Sequence, residues 1–477
     1  MFSRLKSPLI LTLKIIRIFA KKVLKDLTQG KEGKLIFNFA MPMLIGNVFQ
    51  QLYNIIDSAI VGHYLGKEAL AAVGASFPLV FLLLSLIIGI GIGSSVIISQ
   101  YYGAKDLEKV RRAIDTMYIF LFFSAIILTA LGIIFSESVF RLIKLPEEVI
   151  PQAKIFFNVY LTGLVFFFGF NGTSSVLRGL GDSKTPLYFL VFSTLLNIIL
   201  VYTFVVIFPM GIGGAALATV VSQGMAFLLA IFYLNKYHDI VKLSLRKISF
   251  DKNIFKQTLR IGLPTGLQQS FVALGMIALL SIVNKFGTNA VAAYSVAGRI
   301  DSFASLPAMN FAAALTAFVG QNIGANKHHR VKNGLKSTLK MTSMVSIFVS
   351  LIAIFFGENI MGIFTNDLNV IELGEQYLVI VSSFYLIFSS MFVIGAVMRG
   401  AGDTLIPMFI TLLSLWLIRI PLAYFLSARF GPIGIWWSIP IAWFIGMVLS
   451  YFYYLSGKWK NKSLVKATPA TIPREIE

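Results

Sequence analysis

Asn47, Gln50, Asn54 and Asp57 recur at i, i+3, i+7 and i+10 in an otherwise apolar stretch, which places them on one stripe of a helix for about three turns. Tyr53 sits beside that stripe. An ionised Asp at the centre of an apolar layer costs about 2.5 to 3.5 kcal/mol, and less near its edge. Such a carboxylate is suited to taking up and releasing a proton, or to holding a cation. A helix–helix hydrogen bond with no further role is the plainer alternative. Of the 21 acidic residues, only Asp57 and Asp301 fall clearly inside apolar spans. Arg299 lies two positions before Asp301, and the two could neutralise each other if Pro307 bends their helix, or pair with another helix. Arg419, in LIRIPLAYF, could snorkel to the membrane edge or pair across helices. The chain has no cysteine, which excludes disulfides, thiolate metal sites and cysteine nucleophiles. No catalytic residue and no cofactor is assigned, and the chain is not read as an enzyme.

The elements that must hold these residues are membrane spans. Hydrophobic residues make up 57% of the chain, charged residues 13%, and mean hydropathy is +0.81, a balance that a water-soluble surface does not support. Crossing roughly 30 Å of hydrocarbon takes about 20 apolar residues. Runs of that kind lie near 35–60, 69–98, 113–135, 152–177, 186–208 and 213–235, and again near 257–284, 290–319, 335–357, 372–397, 407–426 and 434–456. If the first helix continues to Lys67, Asp57 stands about 15 Å from its end, in the outer half of the membrane.

The second six spans repeat the first at a constant offset. YLGKEALAAVGA returns as KFGTNAVAAYSV, SQYYGAKDLEKV as GQNIGANKHHRV, and LRGLGDSKTP as MRGAGDTLIP, which sets Gly66 on Gly287, Gln100 on Gln321 and Arg178 on Arg399. Doubling of this kind is a common way to build a transporter around a central cavity. The expected organisation is a basic amphipathic segment (1–31) on the inner leaflet, an N-lobe of helices 1–6 (32–236), a cytoplasmic linker (237–254), a C-lobe of helices 7–12 (255–456) and a polar tail (457–477). Asp57 falls on Ala278 and Thr219 on Pro440, so the ion chemistry is not doubled.

Most of the 41 basic residues fall on one side of this arrangement, which predicts both termini in the cytoplasm and a multi-pass protein of the plasma or inner membrane. The net charge of +20 is then explained by anionic lipid headgroups, with no nucleic-acid partner. The glycines of LRGLGD and MRGAGD predict tight turns, with Asp182 and Asp403 capping the helices that follow. Gly89 and Gly93 predict close helix packing, not a nucleotide loop. Phe166, Phe167, Phe168 and Phe170 could line an aromatic pocket.

Together, QQLYNIIDSAIVGHYLG, LRGLGDSKTP, NIIL, GIGGAALAT, GQNIGA, MRGAGDT and IRIPLAY, in this order and spacing, resemble the multidrug and toxic compound extrusion (MATE) family over about residues 32–456. The resemblance implies an all-α membrane protein, with twelve helices in two pseudo-symmetric six-helix bundles around a central cleft. It also implies drug export driven by inward flow of protons or sodium ions. By the same resemblance, cation coupling falls on Asp57, Asn197 and Thr219, which would also be the ligands of a sodium ion. Substrate contacts fall on Gln50 and Tyr53, and a helix-bending proline on Pro42. Asn54, Gln269, Arg299 and Asp301 are further cavity candidates from their own positions. A second acid expected four residues after Asn197 is replaced by Val201, which disfavours a full sodium cage. Acids expected in the seventh and tenth helices are absent as well, so coupling is expected in the N-lobe.

The function expected is therefore an antiporter, coupled to protons or less readily to sodium, that exports cationic or amphiphilic drugs by alternating access as a monomer. Two rivals are a flippase for a lipid-linked substrate, for which a cavity richer in Arg and Lys is expected, and a non-transporting receptor or scaffold.

Overall fold

A computed structural model describes residues 25–143, 145–237, 242 and 248–465. Among these, eight helices are long and apolar enough to cross a membrane, and two bent pairs bring the total to ten. Two of the eight, 72 and 73 residues long, each make two crossings. The first breaks at Gly66 (φ 84°, ψ −175°) into α1 (32–65) and α2 (67–103), and Leu70 folds back against Gly62. The second breaks at Gly287 (φ 84°, ψ −179°), between α7 (Lys252–Val283) and α8 (Gly287–Gly324). An L side chain rarely adopts this φ, which is why both hairpins turn on glycine.

The remaining crossings are α3 (Leu107–Leu142), α4 (Ile150–Thr162 with Leu164–Gly179), α5 (Lys184–Tyr202 with a wide turn at Thr203–Ile207) and α6 (Gly211–Tyr237) in the N-lobe. In the C-lobe they are α9 (His328–Gly362), α10 (Leu368–Ser382 with Tyr385–Gly400), α11 (Leu405–Phe430, with a wide turn at Leu413–Arg419) and α12 (Pro432–Leu455). α4 and α10 bend by 52° and 48° at equivalent places, which hydropathy did not reveal. The repeat is visible in the backbone itself. Lys105 and Asn326 both take positive φ, at 60° and 58°, as do Gly181 and Gly402, at 88° and 92°.

The lobes meet along a seam formed by α1 and α2 on one side and α7 and α8 on the other. A Cβ on Gly89 would overlap the backbone of Gly262 and Gly266, and one on Gly93 would lie 2.8 Å from Gly262 N. The expected close packing at these two positions is therefore present. Asn47 donates to Asn310 (2.9 Å) and Ser85 pairs with Ser270 (2.8 Å) near mid-height. At the end where residues 25–31 and 458–465 lie, two glutamines fasten the lobes symmetrically. Gln100 donates to Gly400 O (3.0 Å) and accepts from Leu464 N (2.9 Å), while Gln321 donates to Gly179 O (3.0 Å) and accepts from Leu27 N (2.9 Å). Both glutamines are fully buried. Toward the other end, no hydrogen bond among the described residues joins 57–80 to 275–300, and Gly74 and Gly298 face open space. The cleft opens away from the tails.

Residues 1–24 of the expected amphipathic segment lie outside the described residues. Its last part, 25–31, is a turn inserted into the seam, with Leu27 buried. Trp459 is also buried, stacked on Tyr454 at 5.5 Å, so the start of the C-terminal tail is anchored. Asp182 meets the first backbone N–H groups of α5, at Lys184 and Thr185, as expected. Asp403 does not cap α11. It accepts from Tyr453 of α12 at 2.5 Å, because that hydroxyl reaches into its buried position. Phe167, Phe168 and Phe170 are buried in the N-lobe core with Phe166 packed partly buried against it, and Phe167 stacks on Tyr160 at 4.5 Å.

Candidate functional site

α1 runs unbroken to Gly66, which puts Asp57 about 12 Å inside the open end. The backbone at Pro42 stays helical, and the nearby Gly46 packs against Leu187 and Leu190 of α5. Of the polar stripe, Gln50 and Asn54 are exposed, and Asn47 is used in the seam. Tyr53 and Asp57, one turn apart, are half-buried against the N-lobe.

Here the structure gathers Tyr53, Asn197 and Thr219. Tyr53 OH lies 3.2 Å from Thr219 Oγ1, and Asn197 Nδ2 donates to Thr219 Oγ1 (3.1 Å) and Ser222 Oγ (3.4 Å). The two α6 hydroxyls have committed their own protons, Thr219 to Ala215 O (3.2 Å) and Ser222 to Thr219 O (3.0 Å). Each hydroxyl has one proton to give. Both can therefore only accept from Asn197, which fixes the amide with Nδ2 toward them and Oδ1 away. By the same count Tyr53 is the donor to Thr219, so it has no proton left for Asp57, whose charge acts on it from the next turn. The atoms left without partners are oxygens, Asp57 Oδ1 and Asn197 Oδ1. A site with unfilled acceptors and no spare donor takes a proton or a cation.

Sodium fits this set poorly. Thr219 Oγ1 already accepts two hydrogen bonds, so it cannot serve as a ligand without losing one, and a hard cation needs several oxygens. No hydrogen bond joins Asp57 to Asn197 or Thr219, whereas Tyr53 bonds to Thr219 and feels the charge of Asp57. Ser222 and the buried Tyr160, which lies close to Tyr53, belong to the same surroundings and were not singled out by sequence. Ser222 could have been found, since it follows Thr219 by three residues on one helix face.

The C-lobe candidates separate. Arg299 is exposed and does not pair with Asp301, because α8 passes through Pro307 without a break. Asp301 instead lies in the field of Arg419 of α11 and beside the Tyr385 hydroxyl of α10. Gln269 is half-buried, while its neighbour Gln268 donates to Thr411 of α11 (2.6 Å).

Two lobes of six helices, fastened at one end, open at the other and carrying the acid Asp57 in the cleft wall, define a multi-pass membrane protein with the architecture of a two-lobed carrier. The MatE family pattern matches residues 42–203 and 264–425, one copy per lobe, and the chain belongs to that family. It is 35% identical to the probable multidrug resistance protein YpnP of Bacillus subtilis (strain 168) over 440 residues, covering 92% of this chain and 98% of that one. It is 28% identical to the probable multidrug resistance protein NorM of Thermotoga maritima, covering 91% and 94%. Among solved structures, an outward-facing MATE transporter of the MOP superfamily superposes with a TM-score of 0.87 at 26% identity, over 93% of this chain and all of that one. A MATE protein in a bent conformation gives 0.86 at the same identity, over 91% and 98%.

Proposed function

We propose that this chain is a multidrug efflux antiporter that exports cationic or amphiphilic molecules by alternating access, with a proton at Asp57 as the coupling ion. Membership of the family and the multidrug resistance proteins among its relatives support the drug substrate. The observation that carries the choice of ion is the bonding of Tyr53, Thr219 and Asn197, which leaves Asp57 Oδ1 with no donor and offers too few free oxygens for a sodium shell. The bias of basic residues toward the tails supports a cytoplasmic tail side, so that the open cleft faces outward.

In that state a proton entering from outside loads Asp57 and removes its charge. A cationic substrate held by the same carboxylate then loses its partner and leaves. Once loaded and neutral, the carrier turns inward, where release of the proton restores the charge that attracts the next cation. One carboxylate cannot favour both ligands at once, so the two bind in mutual exclusion. The test is efflux of a fluorescent cation from vesicles holding the purified protein, with pH and sodium gradients imposed separately. The pH gradient alone is expected to drive transport. Transport by a sodium gradient at uniform pH would overturn the proton assignment.

A further inference from the structure

The C-lobe holds a second cluster whose chemistry is the inverse of the first. Tyr294 and Trp436 stack at 5.7 Å with their rings 1° from parallel, and Tyr377 closes edge-on to both, at 6.0 and 5.0 Å. Asp301 and Arg419 stand in this aromatic corner, each acting electrostatically on Tyr294 and Tyr377. Tyr377, Tyr385 and Trp436 are buried, whereas Asp301 and Arg419 are partly exposed, so the cluster has one open side. Its four helices, α8, α10, α11 and α12, contribute side chains that have no polar counterpart in the N-lobe. At the constant offset of the repeat, Asp301 falls on Val80, Tyr385 on Leu164, Arg419 on Ile198 and Trp436 on Ala215.

Three of the buried groups are donors without an acceptor. Trp436 Nε1, fully buried, and Arg419 Nε have none, and the Tyr385 hydroxyl makes no hydrogen bond of ordinary length. Arg419 donates to no described residue and forms no ion pair within 4.0 Å, so Asp301 balances its charge only from a distance. An indole N–H can only donate, and a guanidinium never accepts. What completes such a corner must bring acceptor atoms, and a planar oxyanion suits the guanidinium fork best. The backbone gives a second, independent sign. Arg419 ends the wide turn Leu413–Arg419, which Trp416 pins to Phe271 O of α7 (3.1 Å), whereas the wide turn of α5 comes later in the repeat, at Thr203–Ile207. Such turns rotate whatever follows and recur at functional sites.

We propose that Arg419, Trp436 and Tyr385 form a binding site for a carboxylate, with Arg419 as the charged contact and Asp301 as the anion it competes with. Building on the transporter reading, this extends the substrate class to amphiphiles that carry an acid group. A neutral or purely cationic substrate leaves the corner unused.

The test is binding to the purified full-length protein, which does not depend on transport or on the coupling ion. The probes are 1-naphthoate and its neutral isostere 1-naphthamide, followed by calorimetry. Wild type is expected to bind the naphthoate at least tenfold more tightly than the amide. Arg419→Gln should remove that preference, weakening naphthoate far more than naphthamide. Arg419→Lys should retain part of the preference, and Asp301→Asn should tighten naphthoate binding. The carboxylate preference is read in binding and the coupling ion in vesicle efflux, so a failed carboxylate site and a failed coupling assignment give separate results. If Arg419→Gln does not fold, the lysine and Asp301→Asn variants decide alone. Equal binding of the two probes by wild type, or a naphthoate preference that Asp301→Asn weakens, would overturn the proposal.

Discussion

The two lobes share a backbone down to unusual dihedral angles, yet their buried polar atoms are set for opposite partners. In the N-lobe the unpartnered buried atoms at the site are the oxygens of Asp57 and Asn197; in the C-lobe corner they are the donors of Arg419, Tyr385 and Trp436. Helix length, hairpin glycines and bends are duplicated because they follow from crossing a bilayer and packing six helices. The polar side chains are not under that constraint. A doubled fold therefore gives two equivalent walls on which different chemistry can be placed.

The sharpest way to break this comparison is Asp57→Asn. The amide keeps the size and much of the polarity of the side chain but cannot carry the charge. Proton-driven efflux in the vesicle assay should fall to that of vesicles without protein, and Ala278→Asp in the equivalent C-lobe position should not restore it. Retained efflux in Asp57→Asn would remove the N-lobe assignment. Next in size is Thr219→Val, which takes the acceptor from both Tyr53 and Asn197. Leaving buried donors unpaired costs about 1 to 3 kcal/mol, read as a lower Tm in detergent together with slower efflux.

The glutamine pair tests where the lobes remain alike. Gln100→Ala and Gln321→Ala each delete two buried hydrogen bonds at the tail side, and the two variants should loosen that end by similar amounts. A shift of about 1.4 kcal/mol in the balance of open and closed forms is tenfold in population. Because the chain has no cysteine, single cysteines placed at the tail-side seam would report this as faster thiol labelling. Unequal responses would mean that the symmetric geometry conceals unequal strength. The smallest effect expected is at the two loop aspartates. Asp182→Ala should cost about 1 kcal/mol as a lost cap, whereas in the C-lobe the bond to lose is with α12, so Tyr453→Phe should reproduce Asp403→Ala in thermal unfolding.

Much of this architecture was legible in the sequence, because apolar length and a regular repeat are properties of single segments and their order. The polar stripe of α1 was legible for the same reason, since i, i+3 and i+7 positions share a face. Ser222 and Tyr160 were not, as they matter only through what α6 and α4 bring beside Tyr53. The bends in α4 and α10 escaped hydropathy, which measures what a span is made of and not its direction. Arg299 and Asp301 are neighbours in the chain, yet the charge that acts on the acid is that of Arg419, more than a hundred positions later, at the end of a wide turn that no residue pattern announces. The Asp403 side chain shows the same limit. Its local motif matches that of Asp182, but a hydroxyl on another helix takes the carboxylate.

Leu464 supplies the backbone N–H that fills Gln100, and Gly400 the carbonyl. Gln100 emerges from the ribosome 300 residues before Gly400 and 364 before Leu464. Membrane helices of the first lobe can assemble as they are made, but the buried amide of Gln100 must wait, unpaired, until α10 of the second lobe supplies Gly400. The Gln100 side of the seam thus closes only after the C-lobe has been made, and a truncation just before Leu464 would leave Gln100 Oε1 without its donor while the Gln321 side stays complete.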